Sequence, residues 1–180
     1  MTTHERQIVR PATSLDIEAI TDIYNEGIAD RVATLETELR TPAERQSWLE
    51  SRDDRTPVFV AEREGEVAGW GSLNRFNPRE AYRHVADFSI YVARDHRGQG
   101  IGSMLLTTLI ESARDLSYHK LVLAAFPFNT GGMRLYRRHG FREVGIYREQ
   151  GVLDGAWVDT IIMELILDNN PPPQANLRKR

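Results

Sequence analysis

The run Val92-Ala93-Arg94-Asp95-His96-Arg97-Gly98-Gln99-Gly100-Ile101-Gly102 is where residue types and spacing in this chain can do chemistry. Three alternating glycines join an apolar, strand-like stretch to an amphipathic, helix-like one. Glycine admits positive φ and lets backbone N–H groups come close to a ligand. A helix N-terminus adds unpaired donors and partial positive charge, so such a turn suits an anion, a pyrophosphate above all. Arg94 and Arg97 add guanidinium forks for phosphate oxygens. Two other phosphate-binding turns do not fit. A dinucleotide fingerprint needs G-x-G-x-x-G, and Ser103 and Leu105 stand at the possible third positions. A P-loop needs Gly-Lys-Ser/Thr, which is absent. A glycine turn with no ligand is the plain alternative, and the strand before, the helix after and the two arginines weigh against it.

The elements around this turn can be read from periodicity and punctuation. Gln7 to Pro11 predicts a short strand. Thr13, Ser14 and Asp16 offer cap chemistry before Ile17, Ile20, Tyr24 and Ile28 at helical spacing. Thr41-Pro42-Ala43-Glu44 combines a capping box with Pro at the first helical position, and the helix it opens carries Trp48 and Leu49. Between the two helices, the polar stretch Asp30 to Arg40 is placed to border a pocket. Val58 to Ala61 and Val67 to Trp70 flank Arg63-Glu64-Gly65-Glu66 and predict a hairpin. A Pro- and Arg-rich loop, Asn74 to Arg83, precedes the strand Phe88 to Val92. The helix after the glycine turn runs from Gly102 to Leu116, and Leu121 to Phe126 reads as a buried strand. A short helix over Thr130 to Arg138 ends at Gly140, and strands near Phe141 to Tyr147 and Trp157 to Leu165 complete the set. This order predicts an α/β (α+β) domain, one sheet with helices on both faces.

Bulk composition narrows the function classes. The 180 residues suit one domain, expected over 8–167, with a flexible segment 1–7 and a disordered tail 168–180 that contains Pro171-Pro172-Pro173. With 41% apolar residues the chain can bury roughly 70% of its unfolded surface. A net charge of -3 does not point to nucleic acid or an anionic membrane. No Cys is present, so disulfides, thiolate metal sites and a cysteine nucleophile are excluded. The five His are scattered, and no metal site is expected. Met1 to Gln7 has no apolar run of a secretory signal, and no stretch reaches the ~20 apolar residues of a membrane helix, so a cytoplasmic protein is expected.

Arg97 to Gly102 resembles the R/Q-x-x-G-x-G/A signature of the GCN5-related N-acetyltransferases, which holds the coenzyme A pyrophosphate. The resemblance runs from about Ile8 to Leu167 and includes Asn129 and Leu135-Tyr136-Arg137-Arg138-His139-Gly140-Phe141, similar to the family's second cofactor segment. Ile23-Tyr24-Asn25, Thr37-Glu38, Thr41-Pro42, Ser89 to Val92 and Gly155-x-Trp157-x-Asp159 are similar to the phosphinothricin acetyltransferase branch. The resemblance implies the family fold, a mixed and mostly antiparallel twisted sheet of about seven strands. It implies acetyl-CoA as co-substrate, a primary amine as acceptor, direct transfer in a ternary complex and a homodimer. By the same resemblance, Ile90, Tyr91, Val92, Arg97, Gly98, Gln99, Gly100, Ile101, Gly102, Ser103, Asn129 and Tyr136 bind the cofactor.

For catalysis the resemblance points to two residues. Asp87 stands where the branch carries a glutamate; one methylene shorter, it takes the amine's proton directly or through water, or only orients the ammonium. A solvated strand-edge Asp is the plain alternative. Tyr136 matches the tyrosine that many members place beside the coenzyme A sulfur, where a phenol can donate to the leaving thiolate. The branch often has His where this chain has Val158, and His84 and Glu36 are candidates for that missing function. Leu35, Arg79, Tyr82 and Asp87 are expected to meet the acceptor, with the Arg79 fork gripping an acid group of an amino-acid-like molecule such as phosphinothricin or methionine sulfoximine. Transfer to protein N-termini or lysines, and a silent acetyl-CoA-binding module, are the alternatives.

Overall fold

The computed structural model describes residues 7–167 and residue 172. The segment 1–6 and the rest of the expected C-terminal tail lie outside the described residues. Seven strands and four helices follow in the expected order: β1 (Gln7–Pro11), α1 (Ile17–Asp30), α2 (Pro42–Glu50), β2 (Val58–Arg63), β3 (Glu66–Arg75), β4 (Val85–Val92), α3 (Ile101–Asp115), β5 (Lys120–Ala125), α4 (Thr130–Arg138), β6 (Arg142–Leu153) and β7 (Ala156–Ile166).

The punctuation works as its chemistry requires. At the start of α2 the Thr41 hydroxyl accepts from the Glu44 amide at 3.3 Å, and the Glu44 carboxylate accepts from the Thr41 amide at 2.7 Å. The β2–β3 hairpin closes through Glu64 (φ 53) and Gly65 (φ 90), the paired positive φ values of a tight twisted turn.

The strands form one sheet in the order β1-β2-β3-β4-β5-β7-β6. Only β4 and β5 pair in parallel; the other neighbours are antiparallel. Strand alternation divides the core between two faces. Trp70 of β3 and Tyr91 of β4 turn towards α1 and α2, where Tyr24 and Trp48 meet them. Leu73 and Phe88 turn the other way, into the cluster that contains Leu106 and Leu109 of α3 and Met133 of α4. Helices therefore cover both faces.

Two strands differ from expectation. β3 continues through Ser72 and Asn74 to Arg75, and β4 begins at Val85 instead of Phe88. Their polar residues lie opposite one another, Ser72 to Ser89 and Asn74 to Asp87, so the ladder is extended by residues that satisfy each other. Asp87 consequently sits inside the strand and not at its start.

Candidate active site

Strand pairing creates the site. β4 meets β5 only over Val85–Asp87, against Lys120–Val122. Past Asp87, β4 stays paired to β3 up to Val92, while β5 stays paired to β7 up to Ala125. The two parallel strands diverge, leaving the β5-facing backbone groups of β4 without a strand partner. Backbone groups in such a place need hydrogen bonds from something else, and an extended ligand with amides of its own can supply them. A cavity of about 280 Å³ occupies the gap, lined by Asp87, Ser89, Tyr91, Leu123, Asn129 and Tyr136 among others. It shares Ile90, Tyr91, Asn129 and Tyr136 with a cleft of about 520 Å³ that reaches the glycine turn at Gly98, Gly100, Gly102 and Ser103.

At that turn Gly98 (φ 76) and Gly100 (φ 90) both hold positive φ. Gly100 caps α3, whose first bond runs from the Met104 amide to the Gly100 carbonyl at 3.1 Å. The amides of Ile101, Gly102 and Ser103 precede that bond and have no partner within the helix, so they are free for an anion. The Ile101 side chain is core, 1% exposed, and only its backbone faces the turn. Gln99 does not line the cleft; its amide nitrogen donates to the Asp95 carbonyl at 2.8 Å and braces the loop.

The arginines are arranged differently from the expectation. Arg94 and Arg97 share one carboxylate, Asp30 at the end of α1, at 2.8 and 2.6 Å. Arg97 also donates to the Val92 carbonyl. Both thus fasten the turn to α1, and their charge is partly neutralised. The cleft has two further cations, Arg134 and Arg138 of α4, for which no carboxylate partner occurs among the described residues. Sequence reasoning placed Arg138 in the second cofactor segment without giving it a role and missed Arg134, although their i, i+4 spacing on one helix was a usable signal.

Asn129 fills both roles open to it. Its side-chain oxygen accepts from the Gly132 amide at 3.0 Å and caps α4, while the residue lines both cavities. Tyr136 packs edge-on against Phe88 at 5.9 Å with its phenol towards the gap, and desolvation pushes that phenol up to about 12. A phenol so placed is protonated at neutral pH and can donate a hydrogen bond. Burial likewise raises the Asp87 carboxyl above the ordinary carboxylate range, against a hydrogen bond from Asn74 and the charge of Arg52. Asp87 is half-buried, paired with Asn74 on one side and Val122 on the other, and lines the cavity.

The expected acceptor residues are not brought together. Arg79 lines a separate cavity of about 450 Å³ with Arg55, Arg75, Arg83 and Tyr118, and His84 lies there too. Tyr82 stacks edge-on with Phe76 at 5.6 Å. Leu35 packs on Gly151 of β6, and its loop neighbours Val32 and Ala33 line the clefts instead. Glu36 is paired with Arg40. The cause is the loop 76–84, whose path is set by the short 3-10 turn Glu80–Tyr82 and not by its distance in sequence from Asp87.

Comparisons with known proteins agree with this geometry. Residues 18–141 match the model of the acetyltransferase (GNAT) family. The L-methionine sulfoximine/L-methionine sulfone acetyltransferase of Pseudomonas aeruginosa is 35% identical over 162 residues, 89% of this chain and 94% of that protein. A phosphinothricin acetyltransferase from Sinorhizobium meliloti, solved in complex with acetyl-CoA, superposes with a TM-score of 0.86 at 30% identity, covering 96% of both chains. A ribosomal-protein-alanine N-acetyltransferase from Brucella melitensis gives 0.86 at 39% identity, over 88% of this chain and 99% of that one. With its divergent parallel strands, its glycine turn and these matches, the chain belongs to the acetyltransferase (GNAT) family and is similar to its phosphinothricin acetyltransferase branch.

Proposed function

We propose that this protein transfers the acetyl group of acetyl-CoA to the primary amine of a small amino-acid-like molecule, within a ternary complex. The observation that carries the proposal is the gap between β4 and β5, which joins the two faces of the sheet. The pyrophosphate would sit on the amides after Gly100, with Arg134 and Arg138 beside it. The pantetheine arm would pair with the free edge of β4 and with Asn129. Asp87 then lies on the face of α1 and α2, beside Ser89, and takes one proton from the acceptor ammonium. The freed amine nitrogen attacks the thioester carbon, the tetrahedral intermediate expels the thiolate as the C–S bond breaks, and the second proton on nitrogen, shed as the neutral amide forms, converts the thiolate to the free thiol. Tyr136 donates a hydrogen bond to that thiolate. With its phenol at about 12 it stabilises the leaving sulfur better than it surrenders its proton.

The loop that holds Val32 and Ala33, and not Arg79 or Tyr82, is proposed to border the acceptor. Free amino-acid analogues are supported by the likeness to the methionine sulfoximine and phosphinothricin enzymes. A protein N-terminus is the second reading, favoured by the likeness to the Brucella enzyme. Thiol release from acetyl-CoA, measured with methionine sulfoximine, phosphinothricin, an alanine-terminated peptide, a polyamine and an aminoglycoside, separates them. Turnover confined to the first two supports the proposal, and turnover confined to the peptide overturns its substrate class. No turnover with any amine leaves the silent module.

We further propose a homodimer located in the cytoplasm. β6 is an edge strand exposed along most of its length, and Val144, Ile146, Tyr147, Val152 and the neighbouring Trp157 present apolar surface there. An uncovered edge of this kind invites pairing. A monomer mass in light scattering would overturn it.

A further inference from the structure

Arg52 follows α2 and takes no part in the reaction described above, yet it is half-buried beneath the site. Its Nε donates to the Thr56 carbonyl at 2.9 Å. One Nη donates both to the Leu73 carbonyl and to the side-chain oxygen of Asn74, the latter at 2.9 Å. A guanidinium can only donate, so Asn74 must present its oxygen to Arg52. The Ser72 hydroxyl donates to that same oxygen at 3.0 Å. The amide NH₂ of Asn74 is thereby turned the other way, towards β4, where it donates to the Ser89 hydroxyl at 3.2 Å and faces Asp87 across the ladder. Without Arg52 the amide is free to flip, and a flipped Asn74 would aim an oxygen at a carboxylate.

We infer that Arg52 is a positioning residue: by locking the Asn74 side chain with its NH₂ towards Asp87 and Ser89, it presents a donor, and not an acceptor, to the Asp87 carboxylate. The inference rests on the reading of Asp87 as the base. Asn74 lies opposite Asp87 on β3, uncharged Val122 lies opposite on β5, and the phenols Tyr91 of β4 and Tyr136 of α4 line the same cavity. Arg52 is the charged group that acts on Asp87, in the direction that favours the carboxylate, as the Asn74 hydrogen bond also does. The guanidinium lies 5.0 Å from the Trp48 ring, which fixes it from the α2 side. The arrangement is a half-buried polar chain whose direction is set at one end by Arg52, the member that can only donate.

The test titrates Asp87 directly. Carboxyl carbons of aspartate, labelled with carbon-13, are followed by NMR against pH in the wild type, Arg52→Met, Arg52→Lys and Asn74→Ala; Asp87→Asn identifies the signal. Arg52→Met should move the Asp87 titration to higher pH. Arg52→Lys, which keeps charge without the fork, should restore part of the difference. Asn74→Ala, which leaves Arg52 in place, should also move it upward, and it serves where Arg52→Met does not fold. An unmoved titration in the folded variants overturns the inference. Rates are read in parallel. At the acid end of the profile, kcat/KM should fall by about 2- to 10-fold in Arg52→Met and recover as pH rises, the net worth of one ordinary hydrogen bond, since Arg52 acts through Asn74 and does not itself touch Asp87. If the titration moves and the rate limb stays, Arg52 still governs Asp87 but Asp87 is not the base, so the two failures are told apart.

Discussion

Replacing Asp87 by Asn changes one atom and one charge, and the position joins the sequence reading to the geometry. Asn has nearly the same shape and keeps an oxygen that can accept from the Asn74 amide opposite, so the pairing of β3 with β4 should persist. A lost general base costs about 10²–10⁴-fold in rate. At about 1.4 kcal/mol per decade, that is roughly 3–5 kcal/mol of transition-state stabilisation. The deficit should shrink as pH rises, because more acceptor amine is then already neutral. Stability should move the opposite way. Burial raises the folded-state pKa of Asp87 above its unfolded value of 3.8. The folded protein therefore holds this proton more tightly, a contribution that is present below the unfolded pKa and is lost as pH rises through the folded one. At neutral pH the wild type buries an ion that Asp87→Asn does not. The variant should melt higher than the wild type at pH 7, with the advantage fading towards pH 4. Steady-state kcat/KM from pH 6 to 9.5 and thermal melts at both pH values measure the two effects. A variant within threefold of wild-type rate across that range would refute the base assignment. An unchanged or lower melting temperature at pH 7 would refute the burial argument.

Two further outcomes follow from the same geometry. Gly100→Ala places a side chain at φ 90, where it meets no heavy atom within 4 Å, so the folding loss should stay near the ~1–2 kcal/mol of a left-handed residue. Coenzyme A affinity by calorimetry should still fall about 10–100-fold, the worth of one charge-assisted hydrogen bond to the pyrophosphate, and unchanged affinity would remove the phosphate role from the turn. Tyr136→Phe should lower kcat by about 10–10²-fold while leaving coenzyme A binding nearly intact, and an acetyl thioester with a more acidic leaving thiol should narrow that gap; an equal deficit with both thioesters would place the phenol away from the sulfur.

What could be read from the sequence depended on how local the cause was. The capping box at Thr41-Glu44 and the Glu64-Gly65 turn are short-range devices, and each formed where its residues stood. The glycine turn was legible for the same reason, because positive φ at Gly98 and Gly100 is a property of single residues. The roles of Arg94 and Arg97 were not. Their common partner Asp30 is more than sixty positions away, and a guanidinium near a phosphate turn looks the same in sequence whether it faces the ligand or braces the loop. Arg79 failed through backbone path. It stands eight positions before Asp87, but the intervening 3-10 turn lies between it and the strand and it lines another cavity, and no periodicity reports the course of a loop. The β4–β5 gap is the least local feature of all. It exists because two strands pair for three residues and then part, a consequence of how the whole sheet twists and of what each outer neighbour holds. Arg52 and Asn74 belong to this class as well. Each is an ordinary polar residue in sequence, and only the register that sets Asn74 opposite Asp87 makes the orientation of an amide matter to the base.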